Sequence, residues 1–291
     1  MRLCRVEFEN EIWIASVAQD ANEVNLHFIA EPHGDSLIAL ISRPQEISDI
    51  GAARQQVPMS AVRFLPPIAQ PSKNVLCVGK NYRAHAKEFA RSGFDSSQSK
   101  DADAIPEFPI IFSKAPCTLT GAFDDIVPPW DITQKVDYEA ELGVVIGKPG
   151  RAIAAADAYD HVWGYTVIND VTARDLQAQH KQWLLGKSID TFCPIGPWLV
   201  SQDELDPENL QVTCHVNGEL RQQANTRDLI FNIPTIIETI SASMSLSPGD
   251  IIATGTPAGV GIGFDPPKFL APGDVVEVSI SGIGSIKNKV V

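Results

Sequence analysis

Residues 137–146 read Asp137-Tyr138-Glu139-Ala140-Glu141-Leu142-Gly143-Val144-Val145-Ile146, and residues 165–170 read Tyr165-Thr166-Val167-Ile168-Asn169-Asp170. Each is an apolar, β-branched run that predicts a buried strand, with acids at one end. Residues two apart on a strand share a face, so Glu139 and Glu141 are expected side by side. Asp170 on a second interior strand brings three acids near a core. Buried carboxylates repel one another, and lost hydration raises their pKa values. A bound divalent cation removes both difficulties. All-oxygen ligands favour a hard ion, Mg²⁺ or Mn²⁺, with Ca²⁺ a substitute in crystals, over Zn²⁺. The competing reading of the same spacing is a solvated strand end with its acids turned outward.

Outward from these runs the chain is rich in strands and poor in helices. Val6, Phe8, Ile12, Ile14 and Val17 recur at strand spacing, and Asp20 to Glu23 predicts a turn before Val24–Phe28. Pro66 to Ser72 predicts a linker, because proline denies the backbone regular hydrogen bonding. Asn74–Gly79 then starts a strand. The division expected is a small N-terminal domain over residues 1–70 and a catalytic domain over 72–291. Val216-Asn217-Gly218-Glu219 predicts a type I′ hairpin. Pro248-Gly249-Asp250 and Pro272-Gly273-Asp274 predict type II turns feeding strands. A helix is expected from Thr172 towards His180, with Thr172 as cap and Asp175 completing a capping box. A second runs from Asn232 to about Met244, with Asn232 as cap and Pro234 in the first turn. Residues 91–107 are polar and short of core formers, which predicts a mobile loop. The fold class expected is mixed, β-rich α+β, with packed sheets.

The 291 residues are long enough for a sizeable core. The net charge of −13, from 23 basic and 36 acidic residues, argues against a nucleic-acid partner and against anionic membrane surfaces. Cys4, Cys77, Cys117, Cys193 and Cys214 are odd in number, form no C-x-x-C and have apolar flanks. They read as buried free thiols in a reducing compartment. No signal-peptide core follows Met1 and no apolar run reaches membrane-spanning length, so a cytoplasmic enzyme is the expectation.

Five blocks carry a family resemblance: Val78 to Glu88, Asp137 to Leu142, Asn169 to Gln177, Gly186-Lys187-Ser188 and Thr254 to Gly261. In this order, over roughly residues 72–291, the chain resembles the fumarylacetoacetate hydrolase family, on its acylpyruvase-like branch. The resemblance implies that family's β-sandwich roll and a homodimer. It also implies Glu139, Glu141 and Asp170 as metal ligands.

His85 and Glu88 stand three apart, close enough to touch on a helix. A carboxylate beside an imidazole orients the ring for base work; a surface pair fits the spacing equally. The resemblance implies that they activate water from a short lid helix. Gly186-Lys187-Ser188 has the ending of a phosphate-binding loop, but that motif needs a glycine where Lys181 stands. The resemblance makes Lys187 the active-site lysine, and Gln177 and Thr254 substrate contacts. Asp190 and Cys193 read as structural. The function expected is metal-dependent hydrolysis of a C–C bond in an acylpyruvate or other 2,4-dioxo acid, with a small anionic 2-oxo acid as partner. The alternatives are a decarboxylase, isomerase or hydratase using the same enolate (oxaloacetate being one such substrate) and a non-catalytic metal-binding protein.

Overall fold

Both acid-bearing runs are strands in the computed structural model, which describes residues 1–18, 22–29, 36–43, 50–93 and 105–291. Before them come β1 (Arg2–Phe8), β2 (Glu11–Ser16), β3 (Glu23–Ile29), β4 (Gln55–Pro58), β5 (Arg63–Leu65), β6 (Val75–Gly79), β7 (Ile110–Lys114), β8 (Leu119–Thr120) and β9 (Val136–Asp137). The acid-bearing strands are β10 (Ala140–Ile146) and β11 (Val162–Asn169). After them come β12 (Thr172–Ala173), β13 (Cys193–Ser201), β14 (Gln211–Val216), β15 (Glu219–Asn225), β16 (Ile251–Ala253), β17 (Val275–Ile280) and β18 (Gly284–Lys289). The α-helices are α1 (Ser36–Ile41), α2 (Arg83–Arg91), α3 (Arg174–Gln179), α4 (Leu184–Lys187) and α5 (Ile233–Ser243).

The large sheet runs β4-β3-β2-β1-β13-β11-β10-β16-β6-β7, with β5 on β1 and β8 on β13. A second sheet, β15-β14-β17-β18, packs across it, touching β10, β11 and β13. Every residue of β10 and β11 is buried. Val144 and Val167 join Val212, Val276, Val278 and Ile286 between the sheets. Val145 and Ile168 point the other way, into a second core with Leu3, Ile14, Leu37 and Leu199. A strand buried on both faces has no polar alternation, which explains the unbroken apolar runs. Packed sheets with few helices match the expected β-rich class.

The hairpin between β14 and β15 turns at Asn217 and Gly218, with φ of 52° and 80°. Gly249 and Gly273, at φ of 83° and 95°, enter β16 and β17 from the two Pro-Gly turns. Asn232 caps α5, its side chain accepting from the Thr235 amide at 3.0 Å. The helix expected from Thr172 differs. It starts at Arg174, because Thr172 and Ala173 pair with Asp137 and Val136 instead. The Thr172 hydroxyl donates to the Asp170 carbonyl at 2.9 Å, and Asp175 accepts from the Thr133 hydroxyl at 2.6 Å. Helices α1 and α4 were not expected at all.

Strands β1 to β5 are hydrogen-bonded into the large sheet, with Arg2 of β1 opposite Val200 and Leu3 opposite Leu199 of β13. The proline-rich stretch after them is irregular but packed, with Ile68 fully buried. Four cysteines are buried as expected, whereas Cys117 is exposed. The polar segment expected to be mobile lies outside the described residues from 94 to 104, as do Asp20 and Ala21 of the expected turn.

Candidate active site

Glu139 lies in the two-residue break between β9 and β10, where the pairing with β11 begins. Its amide donates to Asn169 Oδ1 at 3.0 Å, and the Asp170 amide donates to the Glu139 carbonyl at 2.8 Å. This register sets Glu139 beside Asp170, and Glu141 follows two residues into β10. Oxygens of all three buried carboxylates lie within 4.8 Å of one another. The acids converge and are buried, which excludes the solvated strand end.

Three buried cations hold the cluster together. Lys187, the last residue of α4, donates to Glu139 Oε2 at 2.8 Å and to Asp170 Oδ2 at 2.7 Å. Lys114 ends β7, with Nζ 2.7 Å from Asp170 Oδ1 and donating to the Val171 carbonyl at 3.0 Å. Arg174 opens α3. Its Nε donates to Asp137 Oδ2 at 2.8 Å, and Nη2 lies 2.6 Å from Glu139 Oε1. Asp137 also accepts from the amides of Gly261 and Ile262 at 2.6 and 3.2 Å, joining β9 to the glycine-rich loop. Lys114, Arg174 and Asp137 had no assigned site role from sequence. A lone lysine ending the apolar run Ile110–Lys114 was the available signal.

Burial pushes the Glu139 carboxyl up, but Lys187 and Arg174 outweigh it and bring it down to about 2. Glu141 moves the other way: burial, then the charges of Asp170 and Glu139, raise it well above the usual carboxylate range. Its Oε2 accepts only one backbone bond that opposes this, from Gly255 at 2.8 Å. Burial lowers Lys187, but Asp170 and Glu139 raise it further, so it stays charged. A carboxylate left short of positive charge beside two others is the chemistry a hard divalent ion satisfies. Glu139, Glu141 and Asp170 therefore fit a metal.

His85 and Glu88 do meet on α2: His85 Nδ1 and Glu88 Oε2 are 3.2 Å apart. Glu88 Oε1 accepts from the Gly259 amide at 2.9 Å, tying the helix to the loop after β16. His85 is buried and faces the same cavity as Glu139, Glu141, Gln177 and Lys187. That cavity is about 20 Å³, room for about one water. Gln177 Oε1 accepts from Arg174 Nη1 at 3.1 Å. Thr254 is turned away: its hydroxyl donates to the Leu142 carbonyl at 3.0 Å, and Thr256 lines the cavity in its place. Asn81 fixes the entry to α2, accepting from the Phe231 amide and donating to the Phe231 and Thr254 carbonyls. Gly255, at φ of 103°, packs against it where a Cβ would lie 2.7 Å from Asn81 Cβ.

The fumarylacetoacetate (FAA) hydrolase C-terminal family matches residues 74–291. The chain belongs to that family of enzymes. It is 52% identical over 233 residues to the oxaloacetate tautomerase YisK of Bacillus subtilis, covering 80% of this chain and 74% of that protein. Among solved structures it resembles a fumarylacetoacetate hydrolase of Exiguobacterium antarcticum, with a TM-score of 0.83 and 41% identity, covering 100% of this chain and 99% of that one. It also resembles a maleylpyruvate hydrolase of Sphingobium sp. SYK-6 in complex with manganese(II) and pyruvate. That TM-score is 0.80 at 32% identity, covering 100% and 99% of the two chains.

These likenesses correct the expected chemistry. The expectation was C–C bond hydrolysis of an acylpyruvate; the 52% identical relative is a tautomerase. The motifs could not separate the two, because acids, lysine and histidine that stabilise an enolate serve either reaction. No described helix is long and apolar enough to cross a membrane.

Proposed function

We propose that this protein is a divalent-metal-dependent tautomerase that interconverts the keto and enol forms of a small 2-oxo acid of the oxaloacetate type. The observation carrying the reading is one buried cavity in which His85, oriented by Glu88, faces Glu139, Glu141 and Lys187. The 52% identity to an oxaloacetate tautomerase supports the substrate type.

Glu139, Glu141 and Asp170 would hold Mg²⁺ or Mn²⁺, which would supply positive charge towards the carboxylate and 2-oxo oxygens of the acid. Glu88 accepts a hydrogen bond from His85 Nδ1–H, leaving the Nε2 lone pair as the basic atom. His85 Nε2 takes a proton from C3 of the keto acid, and the electron pair of that C–H bond becomes the C2–C3 double bond. The Lys187 ammonium faces the negative charge gathering on the C2 oxygen, where a fixed cation in a buried site is worth most. The proton taken up by His85 Nε2 is then given to that oxygen, which completes the enol and restores the neutral imidazole, and the same steps reversed return the ketone. No water is consumed and no C–C bond breaks. Gln177, its Oε1 held by Arg174 Nη1, positions the acid by hydrogen bonding from its amide nitrogen.

The partner in this reading is a small anionic 2-oxo acid. A homodimer is supported by exposed apolar side chains such as Ile132 and Leu185, 61% and 54% exposed. Four buried thiols suit a reducing compartment such as the cytoplasm. The test is ketonisation of enol-oxaloacetate, followed by its ultraviolet absorbance with Mg²⁺ and after EDTA. Metal-dependent acceleration is expected, without release of CO₂ at a matching rate. His85→Gln should lower the rate by about 10²–10⁴-fold. Wild-type protein that leaves the enol's spontaneous rate unchanged would defeat the reading.

A further inference from the structure

The carboxylate that orients His85 is itself seated on a loop. After β16 the chain runs through Gly259 into a 3₁₀ turn, Gly261–Gly263. Val260 and Ile262 of this loop are buried in one cluster with Phe89 of α2 and with Trp183, so the loop packs against the helix that carries His85 and Glu88. Both oxygens of Glu88 are engaged there. Oε2 stands 3.2 Å from His85 Nδ1, and Oε1 accepts from the Gly259 amide at 2.9 Å. Gly263 supplies the space for this. A Cβ at that position would overlap Glu88 Oε1 and Cδ and lie 2.6 Å from Cγ. Apart from chain neighbours, the three atoms nearest such a Cβ all belong to Glu88. The backbone does not itself call for glycine, because 3₁₀ dihedrals are open to any L-residue.

We propose that Gly263 is a positioning residue for the proton transfer: its missing side chain lets the Glu88 carboxylate reach His85 Nδ1 and so keeps Nε2 as the base. This inference rests on the tautomerase reading. A neutral imidazole has one N–H, and the partner of one nitrogen decides which of the two is left basic. A methyl group at 263 meets the end of a flexible side chain rather than backbone, so Glu88 turns aside and the fold stays. The bonds to the Gly259 amide and to His85 are lost together, because one carboxylate makes both. His85 then loses the group that selects its tautomer. Lys187 keeps its bonds to Glu139 and Asp170, and Arg174 keeps its bond to Asp137. The loss therefore falls on proton transfer and not on binding.

The experiment is a double-mutant cycle over wild type, Gly263→Ala, Glu88→Ala and the double variant. Each is assayed with Mg²⁺ for ketonisation of enol-oxaloacetate, and ¹⁵N NMR of His85 reads which ring nitrogen carries the proton. Gly263→Ala should lower kcat by about 10–100-fold, part of the ~10²–10⁴-fold that a positioned base supplies, with KM changed by less than about threefold. The His85 proton should move from Nδ1 towards Nε2. Removing the Glu88 carboxylate gives the added methyl room, so in the Glu88→Ala background the same substitution should change kcat by less than about twofold and leave the tautomer as it is. Losses that multiply in the double variant, an unmoved tautomer in Gly263→Ala, or a KM that rises as kcat falls overturns the proposal. Should Gly263→Ala not fold, the double variant should fold and show the Glu88→Ala rate; a double variant that also fails to fold overturns it. Should wild type not ketonise oxaloacetate, the tautomerase reading falls, and the His85 tautomer across the four proteins decides the role of Gly263 by itself.

Discussion

Glu141 shows how a single side chain depends on its surroundings. On a strand read in isolation it is an acid at one end of an apolar run. Folded, it is buried beside the carboxyl groups of Asp170 and Glu139, and burial and their charges raise its pKa well above the usual range. A group whose folded pKa is raised contributes stability that is full below the unfolded value of about 4.5 and is lost as pH rises towards the folded one. Glu139, lowered to about 2, has the opposite sign: its contribution is present above about 4.5 and is lost as pH falls towards 2. In the metal-free protein Glu141 is therefore a cost at neutral pH. Glu141→Gln should raise the metal-free Tm at pH 7 while keeping the bond from the Gly255 amide. It should also abolish the Mn²⁺-induced rise in Tm, which for wild type at 100 times Kd corresponds to about 2.7 kcal/mol. Thermal scans of both proteins from pH 5 to 8, with and without Mn²⁺, check this; a metal-free variant less stable than wild type at pH 7 contradicts it. The acid triad was legible from spacing two along a strand plus one acid on the next. Lys114 was not, because nothing local marks a lysine as the partner of an acid on a distant strand.

At the scale of elements, α2 carries His85 and Glu88 but does not hold itself in place. Its N-cap, Tyr82, makes no side-chain capping bond. Position comes from Asn81 on one side and from the bond between Glu88 and Gly259 on the other. Asn81→Ala strands the Phe231 amide and weakens the link to Thr254. A buried group left unsatisfied costs about 1–3 kcal/mol, so Tm should fall and amide exchange at Phe231 should quicken. Unchanged exchange there would show that the clamp does not hold the helix. Sequence patterns predicted α5 and the three turns, since caps, Pro-Gly and Asn-Gly act over a few residues, whereas the helix under His85 and Glu88 was implied by the family resemblance. The same patterns misplaced the start of α3, because the pairing of β12 with β9 takes the residues that local propensity assigned to a helix.

For the whole molecule, β1 on β13 joins the N-terminal segment to the sheet that holds the acids. We propose that residues 1–70 are a separate unit in sequence that folds onto the catalytic unit. Leu3 and Ile14 pack in one core with Ile168, Ile195 and Leu199. Removing residues 1–70 strips those contacts and leaves β13 as an open edge, a template for aggregation. The 72–291 fragment should be less soluble and melt lower than the full chain. Equal Tm by calorimetry would mean that the N-terminal unit adds nothing to the rest.

What the sequence determined by itself is what acts over short distances along the chain. It set the paired apolar runs, the caps and turns, the spacing of Glu139 and Glu141, the His85–Glu88 interval and the ordered blocks of the family. The tertiary structure alone decided which groups meet across strands. Register put Asp170 beside Glu139, strand order brought Lys114 and Arg174 to the acids, and the Thr254 hydroxyl bonded away from the cavity. The physical reason is that alternation and helical period are properties of neighbouring residues. Charge balance in a buried site is a property of residues far apart in sequence, and it exists only once the sheets have packed.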